Sequence, residues 1–160
     1  MVLLFLPVTE SEGVLMSSSY TPVEDLIPHR APFLFVDKLV MVTTAKIVGE
    51  RYFDPGESFF KGHFPGHAVV PGVLLIETMA QCGGAGALEA GLVDEGSFFV
   101  LATIEKAKFR NQVKPGDTTV LEVENLRVSK QMIRQRGKVL VDGEVAAEAT
   151  WMCIISQKGT

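Results

Sequence analysis

A nearly uncharged stretch of sequence constrains the fold more than any other feature. From Gly72 to Leu88 the chain reads Gly-Val-Leu-Leu-Ile-Glu-Thr-Met-Ala-Gln-Cys-Gly-Gly-Ala-Gly-Ala-Leu, with Glu77 as its only charged residue. No Pro interrupts it. Pro71 precedes it and suits a first helical position, where a missing N–H costs nothing. The pattern predicts a helix from about Pro71 to about Ala90, roughly 30 Å long. Apolar residues surround its axis, so most of its sides should be buried. Glu77, Gln81 and the glycines break the run, which falls short of the ~20 apolar residues a membrane span needs. Gly83, Gly84 and Gly86 each cost roughly 1 kcal/mol against Ala in a helix. Close approach of other backbone, from a sheet wrapped round the helix, would offset that cost.

Ahead of the helix, Gly62-His63-Phe64-Pro65-Gly66-His67-Ala68-Val69-Val70-Pro71 reads as a loop, because paired Gly and Pro residues break any regular pattern. Burial of Glu77 would disfavour its charged form and let it hold a proton. A Glu that reaches solvent or caps a neighbouring loop is the plainer alternative. His63 gives the carboxyl group a partner. An imidazole in a rigid loop and a shielded carboxyl converging on one helix N-terminus form an acid–base pair beside an anion-stabilising dipole.

Forty-seven per cent apolar residues in 160 suit one domain with an ample core, and the net charge of −4 argues against a nucleic-acid partner. Cys82 and Cys153 sit in apolar surroundings with no Cys-x-x-Cys, and read as buried free thiols of a reducing compartment. Residues 1–19 lack a basic leader and carry only a short apolar run, so a secretory signal is not expected; they read as a disordered extension before one domain over 20–160. Thr21-Pro22-Val23-Glu24 fits an N-cap, a first-turn Pro and a capping-box Glu, opening a short helix to about Leu26.

Strands are expected at Phe33 to Val42, Lys46 to Phe53, Phe98 to Phe109, Thr118 to Val128, Ile133 to Val141 and Glu144 to Ser156. Asp142-Gly143 marks a tight hairpin. Strands following one central helix argue for an antiparallel sheet in an α+β fold. His29 reads as structural and His67 as a loop residue; the spacing of His29 to His63 fits no metal motif.

Gly62-His63-Phe64-Pro65-Gly66, then Pro71-Gly72-Val73, then Glu77 and Met79-Ala80-Gln81 resemble the signature of the (3R)-hydroxyacyl-[acyl-carrier-protein] dehydratases of bacterial fatty-acid synthesis. Pro28-His29-Arg30-Ala31-Pro32-Phe33 and Phe109-Arg110 through Val113, Pro115, Gly116 and Asp117 resemble the same family. The resemblance implies a hot-dog fold, an antiparallel sheet round one long helix, in the cytoplasm. It implies His63 and Glu77 as catalytic pair, meeting across a homodimer that often assembles into hexamers. It also implies Gly72 at the thioester carbonyl, with no metal and no cofactor. Glu77, where isomerising relatives carry Asp, points to the type that only dehydrates. His67-Ala68 departs from the family, which often has Lys or Arg followed by Pro there.

The substrate implied is an acyl chain on acyl carrier protein. Phe59, Phe60, Val73, Leu74 and Met79 are candidates to line its slot, and the Gly-rich helix end is a place where that slot could widen. The carrier is acidic, so a basic docking patch is expected; Lys106, Lys108, Arg110 and Lys114 are candidates, against the plainer reading of a solvated strand face. The competing functions are an acyl-thioester hydrolase of the same fold and a non-catalytic acyl-binding module.

Overall fold

The computed structural model describes residues 19–157. The expected extension over 1–19 therefore lies outside the described residues, Ser19 apart. The elements are α1 (Val23–Leu26), β1 (Lys38–Val42), β2 (Lys46–Tyr52), a 3₁₀ turn (Ser58–Lys61), α2 (Gly72–Glu89), β3 (Ser97–Phe109), β4 (Thr118–Val128), β5 (Met132–Val141) and β6 (Glu144–Gln157). The strands form one sheet in the order β1-β2-β4-β5-β6-β3, every pair antiparallel. The sheet wraps around α2, the α+β hot-dog architecture that the resemblance implies.

Alternation along the strands decides which side packs on the helix. Leu121 and Val123 of β4 and Ile133 and Val139 of β5 are fully buried, as are Ile47 of β2 and Trp151 of β6. Burying each such side chain is worth roughly 1.5–3 kcal/mol. The opposite face is polar and ion-paired: Lys38 with Glu50, Lys46 with Glu122, and Arg136 with Glu124. Asp142 and Gly143 have φ of 50° and 81°, as a primed two-residue hairpin turn requires.

Three expectations are corrected. Pro71 is the cap of α2 rather than its first residue, and Pro22 caps α1 with no side-chain capping bond. The Thr21 N–H goes instead to Glu89 of α2, at 3.3 Å, so the capping box over Thr21–Glu24 is not formed. The first strand starts at Lys38, not Phe33. The backbone of Phe33 and Phe35 is extended towards α2: Phe35 N–H donates to Gln81 Oε1 at 2.8 Å, and Gln81 Nε2 donates to Phe33 O at 3.0 Å. These groups are satisfied by a helix side chain, which substitutes for a neighbouring strand.

The helical glycines make room for side chains, not backbone. A Cβ at Gly83 would lie 2.3 Å from Gln135 Oε1, at Gly84 2.8 Å from Phe99, and at Gly86 2.5 Å from Ile47. At these positions the room left by the missing side chains is taken by residues of β5, β3 and β2. Among the described residues, no helix is long and apolar enough to cross a membrane.

Candidate active site

His63 stands half-buried at the end of the 3₁₀ turn, whose phenylalanines pack inward. Phe60 is 6% exposed, and the Phe59 ring meets Phe60 at 4.6 Å and Phe35 at 6.4 Å. The turn is tethered through Arg51, which pairs with both Glu57 and Asp37. Beyond His63 the chain reverses at Phe64-Pro65-Gly66-His67, closed by mutual backbone bonds of 3.1 and 2.9 Å between Phe64 and His67. Gly66 has φ of 77°, which a side chain would resist. His67 is an exposed loop residue, as expected.

The ring of His63 is held in one tautomer. Its Nδ1 lies 2.9 Å from the carbonyl of Val69, which can only accept, so Nδ1 carries the hydrogen. Nε2 is then left as a lone pair, the form a general base needs. Phe64 stacks on the ring at 4.1 Å. Val69 and Val70 run on from this contact to Pro71 and Gly72, so the same short segment sets the imidazole and starts the helix. The first N–H groups of α2 have no intrahelical acceptor. A Cβ at Gly72 would lie 2.7 Å from the ring of Phe109, so a side chain there would have to displace that half-exposed ring. Gly72, Val73, Val69, Val70 and Phe109 border a cleft of about 310 Å³.

Glu77 lies one and a half helical turns further on, 21% exposed. It faces a second and much smaller cleft, about 40 Å³, bordered by Ile27, His29, Ala80, Gln81, Gly84, Phe99, Leu101 and Cys153. Gln81 Nε2 donates to Glu77 Oε1 at 3.0 Å, and His29 Nε2 lies 3.5 Å from the same oxygen. His63 is not among the groups that pair with Glu77 within one chain, nor does it border this cleft. Within one protomer the imidazole lies beside the helix start and the carboxyl group beside a separate apolar slot.

The expected slot residues divide. Val73 is 70% exposed at the helix start, while Phe59 and Leu74 are half-buried against the core. Phe60 and Met79 belong to the core itself, with Met79 fully buried, because both face the sheet. The lining of the Glu77 cleft comes instead from β3 and β6, through Phe99, Leu101 and Cys153. His29 was expected to be structural, and its contact with Glu77 was not foreseen. The signal available was Gln81 one turn after Glu77, and a His locked between two prolines.

Burial pushes the Cys153 thiol up to about 12, with the nearby Glu77 carboxyl adding to the effect, and burial alone does the same for Cys82. Both are free thiols and stay protonated at any working pH. Iodoacetamide at pH 8 is therefore expected to leave both unmodified in the folded protein and to alkylate both in denaturant; mass spectrometry reads the difference.

The basic candidates fall on β3 and the turn beyond it, all exposed. Arg110 pairs with Glu148 at 2.9 Å, and Lys108 reaches the same carboxylate at 4.0 Å. The hydrogen bond from Arg110 holds the Glu148 carboxyl below its ordinary value. Among the described residues, no cluster of three His, Cys, Asp or Glu could hold a metal ion.

Residues 27–150 match the family described as FabA-like domain. The chain is 45% identical over 132 residues to 3-hydroxyacyl-[acyl-carrier-protein] dehydratase FabZ of Fusobacterium nucleatum subsp. nucleatum, covering 81% of this chain and 92% of that protein. It is 42% identical over 131 residues to the protein of the same name from Sodalis glossinidius, covering 81% and 87%. Among solved structures, the dehydratase heterocomplex ApeI:P of Xenorhabdus doucetiae superposes with a TM-score of 0.75 at 16% identity, covering 87% of this chain and 93% of that one. The PaaI protein of the E. coli phenylacetic acid degradation operon gives 0.56 at 13%, covering 72% and 80%. At such identities these two speak for the fold alone. The FabA-like match over most of the chain, with relatives above 40% identity along nearly their full length, shows that this protein belongs to the FabZ family of 3-hydroxyacyl-[acyl-carrier-protein] dehydratases.

Proposed function

We propose that this protein removes water from (3R)-3-hydroxyacyl chains carried on acyl carrier protein, giving the trans-2-enoyl thioester in fatty-acid elongation. His63 Nε2 takes the C2 proton. The electron pair of that C–H bond forms the C2=C3 double bond as the C3–O bond breaks. Glu77 gives its proton to the departing hydroxyl, which leaves as water. The N–H of Gly72, at the positive end of α2, faces the charge that grows on the thioester oxygen. The reaction resets when the proton on His63 returns to Glu77 or exchanges with solvent.

The observation that carries this reading is the tautomer of His63. Its Nδ1–H is committed to Val69 O, and the segment holding that carbonyl leads directly into Gly72. A base and an oxyanion donor are therefore fixed relative to each other. Glu77 is absent from that half of the site, and a second copy of the chain is the proposed source. The supporting feature is β3, an edge strand of 13 residues with Val100, Ile104 and Phe109 about half exposed. Pairing of β3 with its copy would cover that edge and could bring His63 of one chain to Glu77 of the other. Further assembly of such dimers into a hexamer is part of the same reading.

Val73, Leu74 and Phe59 are the proposed acyl contacts near the helix start, with Phe60 packing beneath Phe59. Lys106 and Lys114, together with the partly neutralised Lys108 and Arg110, are the proposed docking charges for the carrier. The setting is cytoplasmic, in keeping with two buried free thiols.

The test is a panel of 3-hydroxyacyl thioesters followed at the absorbance of the conjugated enoyl product. Growth of that absorbance without release of free thiol supports dehydration. Thiol release instead would make the protein a thioester hydrolase, and binding without either signal would make it an acyl-binding module.

A further inference from the structure

We propose that His29 is a positioning residue that selects which oxygen of Glu77 carries the reactive proton; this rests on the reading of Glu77 as the acid. Two donors converge on one oxygen. Gln81 Nε2 lies 3.0 Å from Oε1 and His29 Nε2 lies 3.5 Å from it. The other ring nitrogen of His29, Nδ1, is buried and has no hydrogen-bond partner. A hydrogen there would be a buried donor with nothing to accept it, the costlier arrangement. The hydrogen therefore sits on Nε2, facing the carboxyl group.

Both donors are themselves held. Gln81 is 3% exposed, and its amide is clamped at both ends to the backbone of Phe33 and Phe35. The His29 turn is pinned by Arg30, which donates to Ile27 O at 2.9 Å and to His29 O at 2.7 Å. The 3.5 Å contact is an ion-pair distance rather than a formed hydrogen bond, and catalytic contacts often tighten only when substrate binds.

With Oε1 accepting from Gln81 and, once the His29 contact closes, from His29 as well, the acid group keeps Oε1 as its carbonyl oxygen. The proton is then on Oε2. When the Oε2–H bond breaks and a new O–H bond forms in the departing water, the carboxylate left behind already has two donors on Oε1 to spread its charge. His29 thus acts twice through Glu77, by placing the proton and by stabilising the anion. It touches no substrate in this scheme.

The test is steady-state kinetics on full-length His29→Phe and His29→Gln proteins. Gln carries an N–H donor at about the reach of His Nε2, while Phe carries none. Loss of a hydrogen bond to a developing charge predicts a fall in kcat of roughly 10- to 100-fold for His29→Phe, with KM nearly unchanged. His29→Gln should recover most of that loss. If His29→Phe does not fold, His29→Asn, whose amide is too short to reach, takes its place and should be as slow.

A Glu77→Gln protein is assayed alongside, and His29→Phe should add little to its defect, because the two act through one carboxyl group. Near wild-type kcat in His29→Phe would overturn the inference. So would equal loss in His29→Phe and His29→Gln, which would mark His29 as packing alone. Full activity of Glu77→Gln would instead remove the reading of Glu77 as the acid, and with it the basis of the proposal.

Discussion

His63→Ala is expected to lower kcat by about 10²–10⁴-fold, the usual worth of a positioned acid or base, with the fold intact. Glu77→Gln should do the same. The fold should survive because neither side chain is in the core: His63 is half-buried and its ring makes one hydrogen bond, to Val69 O, while Glu77 is 21% exposed and Gln keeps its shape. Losing one such bond costs about 1 kcal/mol. Since the two groups act together in one elimination, the double variant should be little slower than either single one. Thermal unfolding and light scattering check that the losses are chemical. Activity within a few-fold of wild type in either variant would remove that residue from the mechanism.

The second large effect concerns the edge of the sheet. Ile104 lies in β3, is 48% exposed, and sits on the strand with no neighbour on its outer side. Placing a charge there disfavours strand pairing at little cost to the chain itself. Ile104→Asp is therefore expected to yield a folded monomer by light scattering, with turnover down by about 10²-fold or more, because each protomer would keep only half a site. His63 and Glu77 remain present in that variant. A folded monomer with wild-type turnover would show that one chain holds a complete site.

Much of this was legible in the sequence. Where a structural feature is local, reading residues in order finds it. Gly62 to Pro71 is a loop because its glycines and prolines allow little else, and the Asp142-Gly143 turn appears with both φ values positive. Alternation in the sequence sets Leu121 and Val123, and Ile133, Val139 and Val141, each on one face; the first four are fully buried and Val141 partly so. What escaped depends on contacts between distant segments. Phe33 and Phe35 have the composition of a strand, yet Gln81 takes their backbone bonds, and only the packing of that segment on α2 could reveal it. Phe60 and Met79 looked suited to a slot, but the direction each side chain takes puts them in the core. Phe99, Leu101 and Cys153 border the Glu77 cleft because β3 and β6 cross beneath it, which is a matter of register. His29 carried a family motif and no visible chemistry until α2 was placed beside it.

The most direct test of a site shared between two chains is complementation. His63→Ala and Glu77→Gln copies bearing different tags are co-expressed, and particles containing both are isolated through the two tags in turn. In a mixed dimer, one of the two sites carries both substitutions and the other carries neither. The expected result is recovery of about half the wild-type rate per mixed dimer, although each parent is nearly inactive. Mixed dimers as inactive as their parents would contradict the account, since an imidazole and a carboxyl group acting within one chain are never both intact in either copy.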